Sequence, residues 1–486
     1  MPFGINKALL FGAAGSGGVS GWVVQPYSDL TGSTPSYWLY DMALASDDSV
    51  WTTSLSNYSQ NIPIFHIEAD GTLGVANDQK VLDPTQNGPL QGRGIAVADN
   101  GDVISLCSGT VNDGFSRQGL ITSAYTPGTL VQDWDRSLFH PNSGAYAYAH
   151  QQAITTKGTY GYGATYYFDG VSKYDVLMYQ IFLSDGSEGA LNGSNDCLHL
   201  SGSYGQTIYS GPGCVSTDSS GDDWFYCQTR NAATGYTFIN GVEIGTTTYM
   251  YKRYSPASGT GAQFGGVCGA DASNLYVSFG DSTNRVMHLL KVAKSDGAVQ
   301  WQRKVTIGSS TGGFNYLSSP VVDSSGNVYQ AWNSKDTQLT GSSLSSMHWA
   351  KWDSSGNIQT LEGTTIKTLT TNITNSDVYC MSAAISSDDE FIYIAGTFAD
   401  PSYNYRPFVA KFPTDGSGTD NSTALSGNFP GNDLFYKDNW VHTEAAGDAN
   451  VGNGMFPSTG SISSYGNQLE DAVAQANPGI YLDEVA

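Results

Sequence analysis

The sequence predicts an all-β fold, a β-propeller with seven four-stranded blades. Short apolar or aromatic runs alternate along the chain with clusters of Asp, Ser, Asn and Gly, the residues that form tight turns. A unit built from these runs recurs seven times, at a spacing of about 50 to 65 residues. Repeats of about 40 to 50 residues are typical of four-stranded propeller blades, so the observed spacing lies at or a little above that range.

The clearest unit lies between Val267 and Val305. One partial and three complete apolar or aromatic runs are separated there by the sequences A-D-A-S-N, D-S-T-N-R and A-K-S-D-G. The residues from Val299 to Val305 alternate between a face that includes Trp301 and a polar face, which is the period-2 pattern of a half-buried strand. Four such strands form a sheet too small to bury both of its faces, so the unit needs neighbours.

The remaining units supply those neighbours, because two half-units alternate along the chain. The first half is an apolar run, an Asp/Ser/Gly turn and a second apolar run, and it recurs at Ala43–Trp51, Ile95–Ile104, Ala153–Tyr162, Cys214–Tyr226, Ser319–Tyr329 and Ala383–Ile394. The second half recurs from Ile64, Val176, Met287, Met347 and Pro407, with looser copies at Leu120–Gly128 and Tyr249–Gly259. The pattern therefore predicts one toroid rather than several separate domains.

The pattern also predicts the organisation of the chain. We expect an N-terminal arm over residues 1–38, the propeller over residues 39–420 and a C-terminal tail over residues 421–486. One terminus often completes the last blade of a propeller, and Trp22–Tyr27 is a candidate for that strand. In the tail, Asn467–Ala476 is predicted to form a short helix, with Asn467 as its cap and Pro478 after its end.

These units resemble the repeats of quinoprotein-like and related seven- or eight-bladed propellers, in which an Asp-x-x-Gly turn lies between apolar strands. Examples are V-V-D-S-S-G-N-V-Y from Val321 and M-H-W-A-K-W-D-S-S-G from Met347. The resemblance covers roughly residues 40–420. It implies an architecture and says little about function, because propellers host unrelated chemistries.

The first 18 residues, M-P-F-G-I-N-K-A-L-L-F-G-A-A-G-S-G-G, resemble the starts of structural proteins of marine tailed bacteriophages. That resemblance implies a structural component of a virion, such as a tail nozzle or another tail or appendage protein. It further implies other virion proteins as partners and a homo-oligomeric ring. Under this hypothesis, apolar residues at both termini dock on neighbouring subunits: Phe3, Leu9, Leu10, Phe11, Tyr481 and Leu482.

The charge content narrows the range of partners. The formal net charge is −23, which argues against binding to the phosphate backbone of nucleic acid because such contacts need Lys and Arg. Charged residues make up only 13% of the chain, as in proteins that pack against other proteins, or in extracellular and viral β-proteins. No stretch of 18 consecutive apolar residues occurs, so we expect no membrane span.

Motifs for catalysis, cofactors and metals were sought and not found. No C-x-x-C and no H-E-x-x-H is present, and the G-x-S-x-G match at Gly308–Gly312 is followed by a strand pattern, whereas a nucleophile elbow needs a helix. The turn Asp218–Asp222 lacks the spacing of a calcium loop. We therefore predict no enzymatic activity, no cofactor and no metal, and six cysteines that are free thiols.

Two residue clusters leave alternatives open. Tyrosines at positions 160, 162 and 166 can stack against sugar rings, which gives a second hypothesis: a glycan-binding propeller or capsid decoration protein with contacts at Tyr160, Tyr162 and Tyr166. The same tyrosines can instead fill the space between blades. Three histidines, at positions 66, 288 and 348, recur in the second half-unit and are predicted either to bind a metal near the axis or to pack in the core.

Overall fold

The structure is a computed structural model. It describes residues 9–10, 21–24, 37–56, 62–72, 80–84, 91–111, 117–128, 131–138, 146–148, 152–168, 174–193, 197–200, 208–231, 235–255, 262–281, 286–307, 314–336, 344–362, 364–371, 377–399, 405–417, 424–425, 434–436, 442–446, 450–453, 462–465 and 480–484.

All regular elements among these residues are strands. The arm and the first three blades contain β1 (Leu9–Leu10), β2 (Trp22–Val24), β3 (Tyr37–Leu44), β4 (Val50–Ser56), β5 (Ile62–Ile67), β6 (Lys80–Pro84), β7 (Gln91–Val97), β8 (Val103–Val111), β9 (Arg117–Thr126), β10 (Val131–Leu138), β11 (Tyr146–Tyr148), β12 (Ile154–Lys157), β13 (Tyr160–Phe168), β14 (Tyr174–Phe182), β15 (Glu188–Gly189) and β16 (Cys197–Leu200). Blades 4 to 7 contain β17 (Ile208–Thr217), β18 (Asp223–Asn231), β19 (Thr237–Glu243), β20 (Tyr249–Ser255), β21 (Ala262–Gly269), β22 (Asn274–Asp281), β23 (Val286–Ala293), β24 (Val299–Ile307), β25 (Phe314–Leu317), β26 (Val321–Val322), β27 (Val328–Asp336), β28 (Leu344–Trp352), β29 (Lys367–Thr371), β30 (Val378–Ile385), β31 (Phe391–Ala399) and β32 (Tyr405–Pro413). The tail contains β33 (Ala424–Leu425), β34 (Leu434–Tyr436), β35 (His442–Ala446), β36 (Asn450–Asn453), β37 (Ile462–Tyr465) and β38 (Ile480–Glu484).

These strands form seven four-stranded antiparallel blades, which confirms the predicted fold class. The clearest repeat in the sequence is blade 5, with strands in the order β21-β22-β23-β24. The innermost strands β3, β7, β12, β17, β21, β25 and β30 contact their neighbours in that order, and β30 contacts β3 again. The blades are therefore arranged as a closed ring around a central axis.

Tight turns produce the hairpins within each blade. The turn of blade 6 between β26 and β27 has Asp323 Oδ1 accepting hydrogen bonds from the backbone N–H groups of Ser325 (3.1 Å) and Asn327 (2.8 Å), and Gly326 has φ 80°. Glycine adopts that conformation without strain. The Asp-rich turns noted in the sequence thus bind their own backbone, and no cluster of metal-ligating side chains occurs within the described ranges.

The hydrophobic core consists of clusters between adjacent blades. One cluster joins blades 4 and 5 through Tyr226, Ile239 and Leu290, and another joins blades 6 and 7 through Trp349 and Phe412. Each blade thereby buries both faces against its neighbours, which a single four-stranded sheet cannot do. This packing explains why β31, which has neighbours on both faces, carries apolar residues at nearly every position.

An N-terminal strand closes the ring, as predicted for Trp22–Tyr27. Strand β2 pairs antiparallel with β32, with Trp22 opposite Lys411, and it serves as the fourth strand of blade 7, with β1 paired on its outer edge. The indole Nε1 of Trp22 also donates a hydrogen bond to the carbonyl oxygen of Ala69 in blade 1, at 3.1 Å. The arm therefore joins the last blade to the first.

The C-terminal tail runs around the outside of the ring. Its strands β34, β35, β36, β37 and β38 pair antiparallel with β29, β24, β20, β16 and β6, the outermost strands of blades 6, 5, 4, 3 and 1. Five blades thus gain an extra outer strand, in reverse blade order. The predicted helix at Asn467–Ala476 lies outside the described residues. No helix within the described part of the chain is long and apolar enough to span a membrane.

Candidate functional site

The two ends of the propeller differ in construction. At one end, which we name the turn end, short turns join the first strand of each blade to the second, as at Asp323–Asn327. At the opposite end, named the loop end, the innermost strands begin and the connections between successive blades lie. Loops positioned by a rigid scaffold are where binding residues concentrate in proteins, and at the loop end such connections surround the mouth of the axis.

An aromatic cluster lies at the loop end, beside the axis. It comprises Trp38, Tyr40, Tyr316, Tyr379 and Tyr405, and we name it the Trp38 cluster. The Trp38 ring lies 4.5 Å from Tyr405, 4.8 Å from Tyr379 and 5.8 Å from Tyr316, measured between ring centroids. The rings come from blades 1, 6 and 7, and all except Tyr379 are only partly buried. The cluster therefore presents aromatic surface near the mouth of the axis.

Bulges in the innermost strands direct part of this cluster toward the axis. The register of β3 against β4 shifts between Leu39 and Asp41, and that of β7 against β8 shifts between Gly92 and Gly94. A bulge bends a strand and re-aims the extra side chain, here Tyr40. The guanidinium of Arg93, the extra residue of the second bulge, lies over the Tyr40 ring, 4.7 Å from its centroid. A cation from blade 2 thus adjoins the aromatic cluster.

Polar groups border the same cluster. The carboxylate of Asp377 accepts hydrogen bonds from the Tyr379 hydroxyl (2.9 Å) and from the Ser345 backbone N–H (2.6 Å). The indole Nε1 of Trp38 is buried and has no hydrogen-bond partner within the described part of the chain. Burial raises the pKa of Tyr316, which keeps its hydroxyl protonated at neutral pH. The cluster therefore combines apolar faces with hydrogen-bond donors and one cation.

Below the cluster, the side chain of Gln152 spans the axis. This residue of blade 3 has φ 55°, and its Nε2 donates a hydrogen bond to Ser382 Oγ of blade 7 at 2.7 Å. Its Oε1 accepts hydrogen bonds from the backbone N–H (3.1 Å) and the hydroxyl (2.8 Å) of Ser319 in blade 6. One amide thus joins blades on opposite sides of the ring, and the axis is crossed at this level.

Asp41 extends this network to blades 1 and 2. Its Oδ1 accepts hydrogen bonds from Ser382 Oγ (2.9 Å) and the Met42 N–H (2.8 Å), and its Oδ2 accepts one from the Ile95 N–H (3.0 Å). The residue is 2% exposed, and burial raises its pKa to about 7 although these three hydrogen bonds lower it. A titratable carboxyl therefore lies in the centre of the ring, at the junction of blades 7, 1 and 2.

The tyrosines singled out in the sequence lie elsewhere. Tyr162 is 3% exposed and lies between blades 3 and 4, where its hydroxyl accepts a hydrogen bond from Gln180 Nε2 at 3.1 Å and burial raises its pKa to about 12. Tyr160 and Tyr166 are half-buried against the same cluster. This placement favours the packing role that was the alternative for these residues, and their contact with a glycan stays a prediction.

The terminal residues predicted to dock on neighbours pair within the chain where they are described. Leu9 and Leu10 lie in β1, opposite Val23 and Trp22 of β2. Tyr481 and Leu482 lie in β38, opposite Asp83 and Leu82 of β6. Phe3 and Phe11 lie outside the described residues. The docking of these residues on another subunit stays a prediction.

The three histidines lie in different blades, away from the axis. Each is directly opposite an aromatic residue of the preceding strand: Trp51 with His66, Phe279 with His288 and Trp332 with His348. His66 is stacked on Trp51 with a centroid distance of 4.1 Å. Because these residues sit on the third strand of blades 1, 5 and 6, they do not converge on one site.

Five cysteines whose side chains the structure describes are free. They are Cys107, Cys214, Cys227, Cys268 and Cys380. Cys227 is opposite Gly213 and Cys214 is opposite Tyr226, so Cys214 and Cys227 occupy offset positions on the hairpin of β17 and β18. Burial raises the pKa of Cys227 to about 12, which keeps its thiol protonated and unreactive at neutral pH.

No sequence pattern marks the Trp38 cluster, because its members come from both ends of the chain. A faint signal exists: aromatic residues precede the first half-unit in three blades, at Tyr37–Tyr40, Tyr316 and Tyr379. Only ring closure, which places blades 6 and 7 beside blade 1, brings these positions together.

No protein-family model matches the chain, and no curated protein matches it. Solved structures that resemble it include Trypanosoma rangeli sialidase in complex with 2,3-difluorosialic acid, with 13% identity over 76% of this chain and a TM-score of 0.40. The match spans 59% of that sialidase chain. The α-L-arabinanase of Penicillium chrysogenum in complex with arabinobiose has 9% identity over 77% of this chain and 93% of its own, with a TM-score of 0.37. A subtype N10 neuraminidase-like protein of A/little yellow-shouldered bat/Guatemala has 8% identity over 83% of this chain and 99% of its own, with a TM-score of 0.36.

These structures correct one prediction. The absence of enzymatic activity was inferred from missing motifs, and that exclusion was wrong, because the propellers that resemble this chain include enzymes, a sialidase and an arabinanase. With TM-scores below 0.5, the likeness transfers neither an activity nor a residue to this chain. The resemblances to quinoprotein-like propellers and to phage structural proteins stay predictions.

Proposed function

We propose that this protein binds a carbohydrate at the loop end of its propeller, through the Trp38 cluster. The observation that carries the proposal is the packing of three tyrosine rings around one tryptophan beside the axis. Sugar rings present flat C–H faces that pack on aromatic rings, and Tyr and Trp combine such a face with a hydrogen-bonding group. The glycan-binding alternative from the sequence is therefore kept, with a different set of contact residues.

The polar groups at the cluster fit the hydroxyl groups of a sugar. The Asp377 carboxylate supplies an acceptor at the edge of the cluster, beside the Tyr379 hydroxyl. Arg93 adds a cation over Tyr40. Binding sites for small molecules are mostly apolar surfaces with a few such polar groups that set orientation. Because Gln152 crosses the axis below, the ligand binds at the mouth and does not pass through the ring.

Replacing Trp38 with alanine tests the proposal. We expect the change to weaken binding of the best oligosaccharide by roughly 30-fold or more, because a central aromatic contact commonly contributes 2 kcal/mol or more. Trp38→Phe keeps an aromatic face but a smaller one, so we expect a smaller loss of about three- to tenfold. An array of neutral and acidic oligosaccharides identifies the ligand, and calorimetry measures the affinities.

A matched control is Trp301→Phe at the turn end. Trp301 is also partly exposed and lies against the next blade, where its Nε1 donates to the Ser354 carbonyl oxygen at 3.1 Å. The control is expected to bind like the wild type. Failure of the wild-type protein to bind any oligosaccharide on the array, or equal loss in both tryptophan variants, contradicts the proposal. The bound sugars are also analysed by mass spectrometry, so that cleavage is detected if it occurs.

We also propose, as a second candidate, a structural role in a tailed-phage virion, where the propeller acts as a rigid ring. The observation in its favour is that both termini attach to blade edges by strand addition, a mode that can equally join separate subunits. Electron microscopy of the native particle tests this role. Copies in a ring on a tail axis support it, and a protein absent from the particle contradicts it.

A further inference from the structure

A serine and a buried lysine are hydrogen-bonded at the turn end of the propeller, between blades 4 and 5. Lys294 lies in the turn that joins β23 to β24, and its side chain reaches the end of β17 in blade 4. Its Nζ lies 2.7 Å from Ser216 Oγ and 2.5 Å from the carbonyl oxygen of Thr217. Lys294 is 4% exposed, whereas Ser216 is partly exposed. The amine is therefore shielded from water, while the hydroxyl beside it has a face toward solvent.

Comparison of the blades indicates that the fold does not need a charge at position 294. The backbone N–H of Lys294 donates to a carbonyl oxygen in the inner turn of its own blade at 2.8 Å. In blades 3, 4 and 7 the residues that make the equivalent bond, at 2.8 or 2.9 Å, are Leu183, Ile244 and Thr414. Burying an ammonium costs free energy that burying these uncharged side chains does not. A purely structural role therefore gives no reason for a lysine here.

Position 216 also differs from most of its equivalents. Ser216 pairs with Trp224, in the last residue pair but one before the turn between β17 and β18. In the other six blades the equivalent residues are Ala43, Ala96, Thr156, Cys268, Val321 and Ala384. Of these, Thr156 also carries a hydroxyl, which donates to the carbonyl oxygen of Val97 at 2.8 Å. Gly269 of blade 5 leaves room for the Ser216 hydroxyl, because a Cβ there would lie 2.4 Å from Ser216 Oγ. The repeat alone thus does not account for this contact.

The surroundings of Lys294 lower the pKa of its ammonium. Burial is the main cause, because a charged amine loses its hydration there. Cys214, Asp271 and Asp218, which face it from blades 4 and 5, raise the pKa by less, and Lys157 of blade 3 lowers it. The net lowering increases the fraction of neutral amine near neutral pH. Only the neutral amine accepts a proton, so the environment favours a base at this position.

The geometry matches that of an activated nucleophile. Such a site needs a hydroxyl within hydrogen-bond reach of a base, and a third group that orients the base. Here the hydroxyl is that of Ser216, the base is the amine of Lys294, and the third group is the carbonyl oxygen of Thr217. Ser–Lys pairs perform this chemistry in some hydrolases in place of a Ser-His-Asp triad.

From this arrangement we propose that Ser216 and Lys294 form a catalytic pair that hydrolyses neutral carboxylic esters. Ser216 is the nucleophile, and Lys294 is the general base. Three carboxylates on the same hairpin, those of Asp218, Asp222 and Asp223, disfavour an anionic substrate. The pair lies at the opposite end of the propeller from the carbohydrate site, and its activity does not depend on carbohydrate binding.

The reaction proceeds in two steps. Ser216 Oγ attacks the carbonyl carbon of the ester, and its proton passes to the neutral Nζ of Lys294. The bond from that carbon to the alcohol oxygen then breaks, and Lys294 gives the proton to the departing alcohol. In the second step water attacks the acyl-serine, and Lys294 transfers one proton of the water to Ser216 Oγ as the acid leaves. One ester and one water thus give one alcohol and one carboxylic acid, and both side chains are regenerated.

Covalent labelling of the full-length protein is the first test. A fluorophosphonate probe reacts with activated serines, and digestion followed by mass spectrometry identifies the modified residue. We expect Ser216 to be labelled about 100-fold faster than Ser220, an exposed serine in the same hairpin, because general-base assistance contributes at least about that factor. Labelling of Ser216 no faster than of Ser220 overturns the proposal.

Hydrolysis of p-nitrophenyl acetate by variants is the second test. Ser216→Ala and Lys294→Leu are each expected to lower kcat about 100-fold or more. Lys294→Leu introduces the residue type that blade 3 has at Leu183, so we expect it to fold, and thermal unfolding checks this. Ser220→Ala is the matched control and is expected to match the wild type.

Lys294→Arg separates a base from a structural cation. Arginine keeps the positive charge and the hydrogen-bond donors but stays protonated, so we expect it to be as inactive as Lys294→Leu. In the wild type, kcat/KM is expected to rise with pH as Lys294 loses its proton, and the arginine variant is expected to lack this rise. Wild-type protein that hydrolyses no ester above the buffer rate, or a folded arginine variant with wild-type activity, overturns the proposal.

Discussion

Replacing Trp22 with alanine is expected to lower the free energy of unfolding by about 3 to 5 kcal/mol, the range measured for large aromatic residues in protein cores. Trp22 is 1% exposed and lies in the cluster between blades 7 and 1. Its ring is edge-on to Tyr393 with a centroid distance of 5.8 Å, and its Nε1 donates to the Ala69 carbonyl oxygen. The substitution therefore removes packing and a hydrogen bond at the one junction where the ring is closed by a separate segment of chain. Denaturant unfolding measures the change.

The surroundings of Trp22 make collapse of the resulting cavity difficult. The turn of blade 1 lies directly on the indole, because a Cβ added to Gly71 would come within 2.9 Å of the ring. Trp301→Ala is the control: its indole also donates to a carbonyl of the next blade, but it is only partly buried and its strand is continuous with its blade. We expect a clearly smaller loss there. Equal losses for the two variants would mean that the Trp22 junction is not special for ring closure.

The stability of the protein is expected to fall as the pH rises from about 4 to about 7, and Asp41 is expected to account for much of the decrease. Burial raises the pKa of Asp41 to about 7 in the folded protein, from about 3.8 in an unfolded chain. A group with a raised folded pKa stabilises the protein below its unfolded pKa, and this contribution is lost as the pH rises through the folded value. At 1.36 kcal/mol per pH unit, the shift corresponds to about 4 kcal/mol as an upper bound.

Asp41→Asn isolates this contribution. The amide does not titrate, so the difference in unfolding free energy between wild type and variant is expected to change with pH in the window from 4 to 7 and to be flat above it. In the wild type, N–H groups of Met42 and Ile95 donate hydrogen bonds to the carboxylate. Asparagine turns an NH₂ group, itself a donor, toward one of them, and the lost hydrogen bond lowers the free energy of unfolding by about 1 to 3 kcal/mol. The variant is therefore less stable at low pH and closer to the wild type above pH 7. A pH-independent difference would contradict the assignment.

The number of blades and the positions of the hairpins follow from local features of the sequence. Strands and tight turns depend mainly on residues that are close in the chain. Examples are the alternation in Val299–Val305 and the turn at Asp323–Asn327. The strand that closes the ring, Trp22–Val24, is also identifiable, because it is apolar and precedes the first repeat. These are the parts of the fold that sequence reasoning predicts best.

The candidate site is much harder to predict from the sequence. Tyr162 and Tyr166 alternate with other residues along one strand, and the sequence does not distinguish an exposed face from one buried against blade 4. The Trp38 cluster, the Gln152 bridge and the Asp41 network each join residues that are hundreds of positions apart. No local pattern marks such contacts, because each partner is an ordinary strand residue until the ring closes.

The sequence by itself therefore determines a seven-bladed, acidic propeller with low charge content and apolar termini. Tertiary structure decides which aromatic residues meet at the loop end, which carboxyl is buried at the axis and which blade edges the tail covers. The physical reason is that the blades, apart from the pairing of β2 with β32, are built from contacts within about 60 residues, whereas the site and the strand pairs of the tail are built from contacts over much longer separations. Contacts of the second kind depend on the curvature and closure of the whole ring, which no single repeat contains.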